Sequence, residues 1–358
     1  VLDPLLPLIG DTGYEARLAA GIADLAGNAL GADFAWSFTT ANTIPVGSWS
    51  QTSQAGAPFE RFEHTAIWNG SEVIVFGGHG WDPGIGAFVD TNTGGRYDPA
   101  LDAWGPMSTA GAPALSGHSA VFTGTEMIAW GGNTDSGARY DPGTDAWQPV
   151  SSAGAPSPRR EHAAAWTGTE MIVWGGASPG NRALDSGARY DPMTDTWTPM
   201  STENAPSPRV DMAYAWTGEE FIVWGGVDSP VVGGKLADGA RYNPATDTWT
   251  PMSPSVTSSG FGDAQAVWTG TEVILWDGGQ PSFIDSGGFP VKTPTLRFYD
   301  PLTDSWRGTA NQCEPFLGTN DMQAHWTGSR LFVWSDAENG GYFFDPASGS
   351  WEAIDSLG

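Results

Sequence analysis

The sequence predicts an all-β protein made of six similar modules, and three observations carry that expectation. A pattern typified by EHAAAWTGTEMIVWGG and DSGARYDPMTDTWTPM, within residues 161–200, recurs six times. Its spacing holds: the aromatic at Trp68, Phe122, Trp166, Trp216, Trp268 or Trp326 is followed eight residues later by Phe76, Trp130, Trp174, Trp224, Trp276 or Trp334. The chain of 358 residues also carries 49 Gly and 27 Pro and shows no long helical period, as many short strands joined by turns require. Repeats with constant offsets are the signature of stacked or radial β units that bury their faces against one another.

Residues 1–40 stand outside the repeat. Tyr14, Ala16, Leu18 and Ala20 alternate with Glu15, Arg17 and Ala19, and Phe34, Trp36 and Phe38 alternate again, so two strands are expected around the Gly-Asn turn of DLAGNAL. A helix over 14–26 is the rival reading. TGYEARLAAGIADLAGNALGADFAWSFTT resembles the C-terminal end of a bacterial Ig-like domain of the S-layer-associated type. The resemblance implies a partial domain at 1–40, whose remaining strands lie elsewhere. Because the chain starts at Val1, with neither Met nor a signal-like segment, we expect a processed or truncated piece of something longer.

Residues 41–62 read as a linker carrying an extra outer strand. GSWSQTSQAGAPFERFE is similar to AWQPVSSAGAPSPRRE, which puts Trp49 in register with the outer-strand tryptophans Trp104, Trp147, Trp197, Trp249, Trp306 and Trp351. Since the sixth repeat already has Trp351 in that place, one outer strand is surplus. Each repeat then supplies four strands. The first turns at Thr-Gly; the second is apolar throughout and ends on a glycine pair in the first four repeats, where the fifth has Asp277-Gly278 and the sixth Ser335-Asp336; the third turns through Asp-Pro; the fourth is built on the final Trp. Apolar runs of this length suit strands covered on both faces by neighbouring blades. A Trp fixed at such positions is a packing residue, and burying one withdraws roughly 200 Å² from water, worth ~5 kcal/mol before entropy. The run His-Ala, Gly-Gly, Tyr-Asp-Pro, Trp resembles the kelch repeat. Six copies imply a six-bladed kelch-type β-propeller over 63–354, with blades at about 63–106, 117–149, 161–199, 211–251, 263–307 and 321–354. The family's members are mostly binding scaffolds, with a few copper oxidases and sugar mutarotases.

Composition narrows the partners. Fifteen Lys and Arg stand against 41 Asp and Glu, a formal net charge of −26, and Lys235 and Lys292 are the only lysines. Such a surface repels nucleic acid and anionic membranes and favours cations, basic proteins or neutral glycans. Cys313 is the single cysteine, so neither an intrachain disulfide nor a multi-Cys metal site can form. No apolar run reaches the roughly 18 residues of a membrane helix.

Loop lengths point to one face of the propeller. In an up-and-down blade the Thr-Gly and Asp-Pro turns share one end, while second-to-third-strand loops and blade-to-blade linkers share the other. The loops between second and third strands vary in length, and the long ones are 79–95, 177–188, 227–240 and 279–296. Variable loops on a rigid scaffold usually carry binding. In the first of them, His79, Trp81 and Phe88 stand off the repeat lattice as candidate ligand contacts, as for stacking on a sugar. Arg159, Arg160 and Arg209, in the linkers on that same end, are further candidates. Glu63, Glu161, Asp211, Asp263 and Asp321 fall at equivalent positions before each inner strand, with Gly117 in the second repeat; grouped at the channel mouth they would make a Ca²⁺ site. The alternative is that each acid caps backbone N–H groups or pairs with a nearby Arg. The column His64, His118, His162, Met212, Ala264 and Met322 reads as packing with hydrogen-bonded histidines, and Arg96, Arg139, Arg189 and Arg241 as structural ion pairs between blades.

No catalytic residues are identified. There is no Tyr-His pair for a copper oxidase, no Ser-x-Asp-x-Gly-x-Thr-Trp box, no Gly-x-Ser-x-Gly elbow and no His-Glu-x-x-His. The expectation is a non-enzymatic binding module of a bacterial protein at the cell surface, secreted or periplasmic, presenting its variable loops to a protein or glycan. Two alternatives accompany it: a carbohydrate-active enzyme using carboxylates at the channel mouth, and a structural tile whose loops contact other subunits of an extracellular assembly.

Overall fold

A computed structural model describes residues 13–18, 34–39, 51–82, 84–231, 233–255, 264–276, 280–284, 290–293, 296–308, 322–335 and 340–354. The chain divides into two compact units, Val1–Ser50 with Ile354–Gly358, and Gln51–Ala353. In the first, strands Gly13–Leu18 and Phe34–Thr39 pair antiparallel, with Ala16 opposite Trp36. Residues 14–18 are thus extended, and 19–26 of the rival helix lie outside the described residues.

The second unit is a six-bladed kelch-type β-propeller built of four-stranded antiparallel sheets, each in chain order from inner to outer strand. The third blade shows the plan. Its strands Ala163–Trp166, Met171–Trp174, Gly187–Asp191 and Thr196–Pro199 put Ala163 opposite Trp174, Met171 opposite Tyr190 and Tyr190 opposite Trp197. The second strand of blades two to five is buried along its length, which is why its sequence is apolar without alternation. In the sixth sheet the outermost strand is Ser350–Ile354, carrying Trp351. Trp49 lies outside the described residues.

Blades adhere through the two tryptophan columns. The second-strand ring of one blade meets the outer-strand ring of the next: Phe76–Trp147 at 4.4 Å between centroids, Trp130–Trp197 at 5.2 Å, Trp174–Trp249 at 5.3 Å and Trp224–Trp306 at 5.5 Å. Each interface is therefore an apolar cluster drawn from two blades, such as Ile172, Trp174, Phe221, Val223, Tyr242 and Trp249. The glycine that follows the second strand makes room for the next blade. Gly131 has φ of 95°, and a Cβ there would stand 2.6 Å from His162 Cε1; at Gly175, φ is 70° and Met212 Cε would be 2.9 Å away.

At the Thr-Gly and Asp-Pro end, one set of polar bonds repeats. Tyr140 O–H donates to Asp145 Oδ1 at 2.7 Å, and the same oxygen accepts the Ser108 N–H at 2.8 Å. The Trp147 indole N–H donates to the Ser108 carbonyl at 2.8 Å. Asp145 sits at φ of 53°, a left-handed position that Asp adopts more readily than most residues. Equivalent bonds tie Ser53 to Asp102 and Trp104, Ser151 to Asp195 and Trp197, Ser201 to Asp247 and Trp249, and Ser253 to Asp304 and Trp306. Each of these five blades thereby clamps the linker that enters it. The arginine column bridges blades by hydrogen bonds, and its ion pairs lie within a blade: Arg189 donates to the Pro244 carbonyl of the next blade at 2.9 Å and pairs with Glu170 of its own at 3.0 Å, and Arg241 does so with Pro301 and Glu220.

Candidate binding face

At the opposite end, the loop 79–95 folds as a hairpin. Alternation in HGWD and AFVD, on either side of a Gly-rich turn, makes two strands, His79–Asp82 and Ala87–Asp90, with Trp81 opposite Phe88 and His79 opposite Asp90. The linker segment Arg61–Phe62 adds on the other side, with Phe62 opposite His79, giving a three-stranded sheet. Because side chains alternate along strands, this register places Phe62, His79, Trp81, Phe88 and Asp90 on one face. His79 and Phe88 rings stack at 6.0 Å, Trp81 meets Phe88 edge-on at 5.4 Å and 69°, and Phe62 lies 5.2 Å from His79.

These rings are open to solvent: Trp81 is 49% exposed, Phe88 56%, and Phe59 and Ile85 beside them 68% and 64%. The lattice tryptophans Trp130, Trp174 and Trp224 are fully buried, so the contrast lies in placement and not in residue type. Such a gathering departs from the singly scattered apolar residues usual on a protein surface. His79 is oriented by Asp90, whose Oδ1 lies 2.7 Å from Nδ1 and also accepts the Ser116 hydroxyl at 2.8 Å. A cavity of about 240 Å³ adjoins the sheet, lined by Phe59, Glu60, Arg61, Trp81, Asp82 and Asp90 among others.

The arginines divide into two roles. Arg61 closes the base of the hairpin loop, its Nη1 donating to the Gly77 and Thr93 carbonyls, both at 2.9 Å. Arg159 and Arg209 occupy the same place in blades three and four, 1% and 0% exposed. Arg159 donates to the carbonyls of Ser157, Gly175 and Ser186, and Arg209 to those of Ser207, Gly225 and Asp238. Burial lowers the Arg159 guanidinium to about 10, with the charge of Asp185 opposing the shift. With their N–H groups engaged by backbone and shielded from solvent, Arg159 and Arg209 hold loop bases together; the ligand contact expected of them gives way to a scaffold role. Arg160 stays nearer the surface, bonded to Glu161 and Asn181 at 2.6 Å each.

The acidic column has a backbone reason. Glu63, Glu161 and Asp211 have φ of 55°, 54° and 52°, and Gly117 in the same column has 61°. The position is a left-handed turn into the inner strand, where Gly and Asp are at home. Among the described residues no three His, Cys, Asp or Glu side chains group closely enough to hold a metal ion, so Glu63, Glu161 and Asp211 are not brought together as a Ca²⁺ site. Asp263 and Asp321 lie outside the described residues, as does Cys313.

The histidines show a pairing between blades. His118 Nε2 hydrogen-bonds Thr65 Oγ1 at 3.0 Å and His162 Nε2 bonds Ser119 Oγ at 2.7 Å, each reaching into the preceding blade. Burial drives His118 down to about 4, with His64 adding to the shift; burial, then the Arg159 charge, take His162 to about 3. Where the preceding blade offers Ala163 in place of a hydroxyl, the column holds Met212, packed in the same cluster. Phe59, Phe62, Ile85 and Asp90 were not singled out from the sequence; the alternation flanking Asp82 to Gly86 was the signal for the hairpin that collects them.

Among the described residues, no helix is long and apolar enough to cross a membrane. None of the curated proteins matches the chain. Residues 1–40 match the Bacterial Ig-like domain model. Kelch-repeat and bacterial Ig-like domains together point to a protein-interaction module. Residues 117–341 match the model of the KLHDC2/KLHL20/DRC7 Kelch-repeats domain, and with the repeated four-stranded sheets and their shared Tyr-Asp-Trp clamps, the chain belongs to the kelch-repeat family.

Proposed function

We propose that this chain is a non-enzymatic recognition module of a secreted or surface-attached bacterial protein, in which the propeller presents the hairpin His79–Asp90 to a protein or glycan. The observation that carries the reading is the set of half-exposed rings, Phe62, Trp81 and Phe88, gathered on one face of a hairpin whose base is fixed by Arg61. Holding large rings in place before binding reduces the ordering cost of association, and such rings dominate interface energetics. The Ig-like segment at 1–40 would connect the module to a larger extracellular protein. A glycan array and a displayed peptide library, screened with wild type and with Trp81→Ala/Phe88→Ala, test this. Ligands retained by wild type and lost by the variant support the reading; ligands indifferent to both substitutions refute it.

A further inference from the structure

The hairpin has a free edge. Its sheet runs in the order Arg61–Phe62, His79–Asp82, Ala87–Asp90, and among the described residues no strand pairs the outer side of Ala87–Asp90. The Thr91 N–H donates to the Gly78 carbonyl at 2.9 Å, so alternation along the antiparallel pair turns the Phe88 N–H and C=O away from the hairpin, toward that open side. Ala87 and Phe88 are exposed; only at Asp90 and Thr91 does the edge meet the second blade, through Ser116 and Leu115. A short unpaired edge with outward N–H and C=O groups is a template for another strand.

The surroundings select the charge of that strand. Glu60, Asp82 and Asp90 line the cavity beside the hairpin, while Arg61, which lines it too, is taken up by the Phe59, Gly77 and Thr93 carbonyls. The ring geometry is also selective. Trp81 and Phe88 meet at 69° and form walls, not the coplanar shelf on which a pyranose would lie. Ring faces beside carboxylates suit a guanidinium or ammonium group, which is drawn to both.

We propose that the edge strand Ala87–Asp90 takes an extended cationic peptide segment by strand addition, with its Arg or Lys side chains over Phe88 and Trp81 and beside Asp90. This rests on the reading of the hairpin as the recognition element and names its partner class. The test uses the whole chain and three synthetic peptides: an alternating Arg-Val octapeptide, the same peptide N-methylated at alternate backbone amides, and its Glu-Val counterpart. Fluorescence anisotropy should show the Arg-Val peptide binding, with N-methylation weakening it by roughly tenfold or more, since charge and side chains are kept while pairing is blocked. The Glu-Val peptide should not bind, and Phe88→Ala should weaken Arg-Val binding by roughly tenfold while leaving the melting temperature in place. Equal affinity for the N-methylated peptide would overturn strand addition, and equal affinity for the Glu peptide would overturn the cationic class. Absence of peptide binding together with a glycan whose capture needs Trp81 would overturn this proposal and leave the hairpin reading standing. Peptide or glycan capture indifferent to both Trp81→Ala and Phe88→Ala would overturn both.

Discussion

The two ends of the blades follow different rules. At the Asp-Pro end, five blades repeat the same four-residue clamp of Tyr, Asp, Trp and Ser, with Tyr-to-Asp bonds between 2.6 and 2.8 Å in all of them. At the other end, only the base of each loop is repeated, through Arg61, Arg159 and Arg209, and what rises above it differs: a hairpin at 79–90, isolated bridges such as Ala177 with Ala183, and a bulged pair Gln280–Ile284 with Pro290–Thr293. The lesson is that stability and recognition are separated in space. Substitutions at the clamps and loop bases should unfold the protein, and substitutions in the hairpin should leave it folded and silent.

The largest effect is expected at Arg209. Replacing it with Ala removes a fully buried guanidinium and leaves the carbonyls of Ser207, Gly225 and Asp238 without their donor, at a cost of about 3–5 kcal/mol, read from denaturant midpoints. Next comes Asp145→Ala, which removes the acceptor of Tyr140 and Ser108 and forces a left-handed φ on Ala, costing about 2–4 kcal/mol; Asp145→Asn should cost visibly less, since Asn tolerates that φ and keeps an acceptor. A destabilisation below about 1 kcal/mol at both sites would break the comparison.

The histidine pairs sharpen it. His162→Met alone leaves Ser119 without its partner, and Ser119→Ala alone leaves His162 Nε2 unsatisfied, each costing about 1–2 kcal/mol; together they reproduce the Met212–Ala163 pairing, so the double variant should be more stable than either single one. A pH dependence accompanies this. His118 and His162 have pKa values in the folded protein below the free value of 6.5, so the folded state takes up fewer protons than the unfolded state. Their contribution is complete above pH 6.5 and is lost as pH falls toward 4, at about 1.4 kcal/mol per pH unit per site. Stability measured between pH 7 and 4 should fall less steeply in the Ser119→Ala/His162→Met variant.

Much of this fold was legible because a lattice position does one physical job in blade after blade. The Trp columns, the glycines after the second strand and the Asp-Pro turns each repeat at fixed offsets, and each proved to be a packing contact, a close approach or a clamp. Legibility stopped where one position serves two ends. The column Glu63, Glu161 and Asp211 looked like a ring of ligands; a left-handed backbone turn accounts for Gly117 and Asp211 there, and Asp is a residue type that a cation site also favours. Arg159 and Arg209 looked like surface cations because the sequence does not disclose that their guanidinium groups point inward to carbonyls. His79, Trp81 and Phe88 were identified as off-lattice aromatics, and the local hairpin register gathers them on one face; the addition of Phe62 depends on the pairing of Arg61–Phe62 with His79–Asp82, a contact between segments that no local pattern fixes.

The smallest effect on stability is expected in the hairpin, and it decides the matter. The measurement is a denaturation midpoint and an Arg-Val peptide titration on the same preparations of wild type and Trp81→Ala/Phe88→Ala. Half-exposed rings contribute little to folding, so the midpoints should agree to within about 1 kcal/mol while peptide binding disappears. A variant that unfolds readily yet, where folded, still binds the peptide as wild type does would contradict the account, since the hairpin would then belong to the scaffold and the recognition to some other part of the chain.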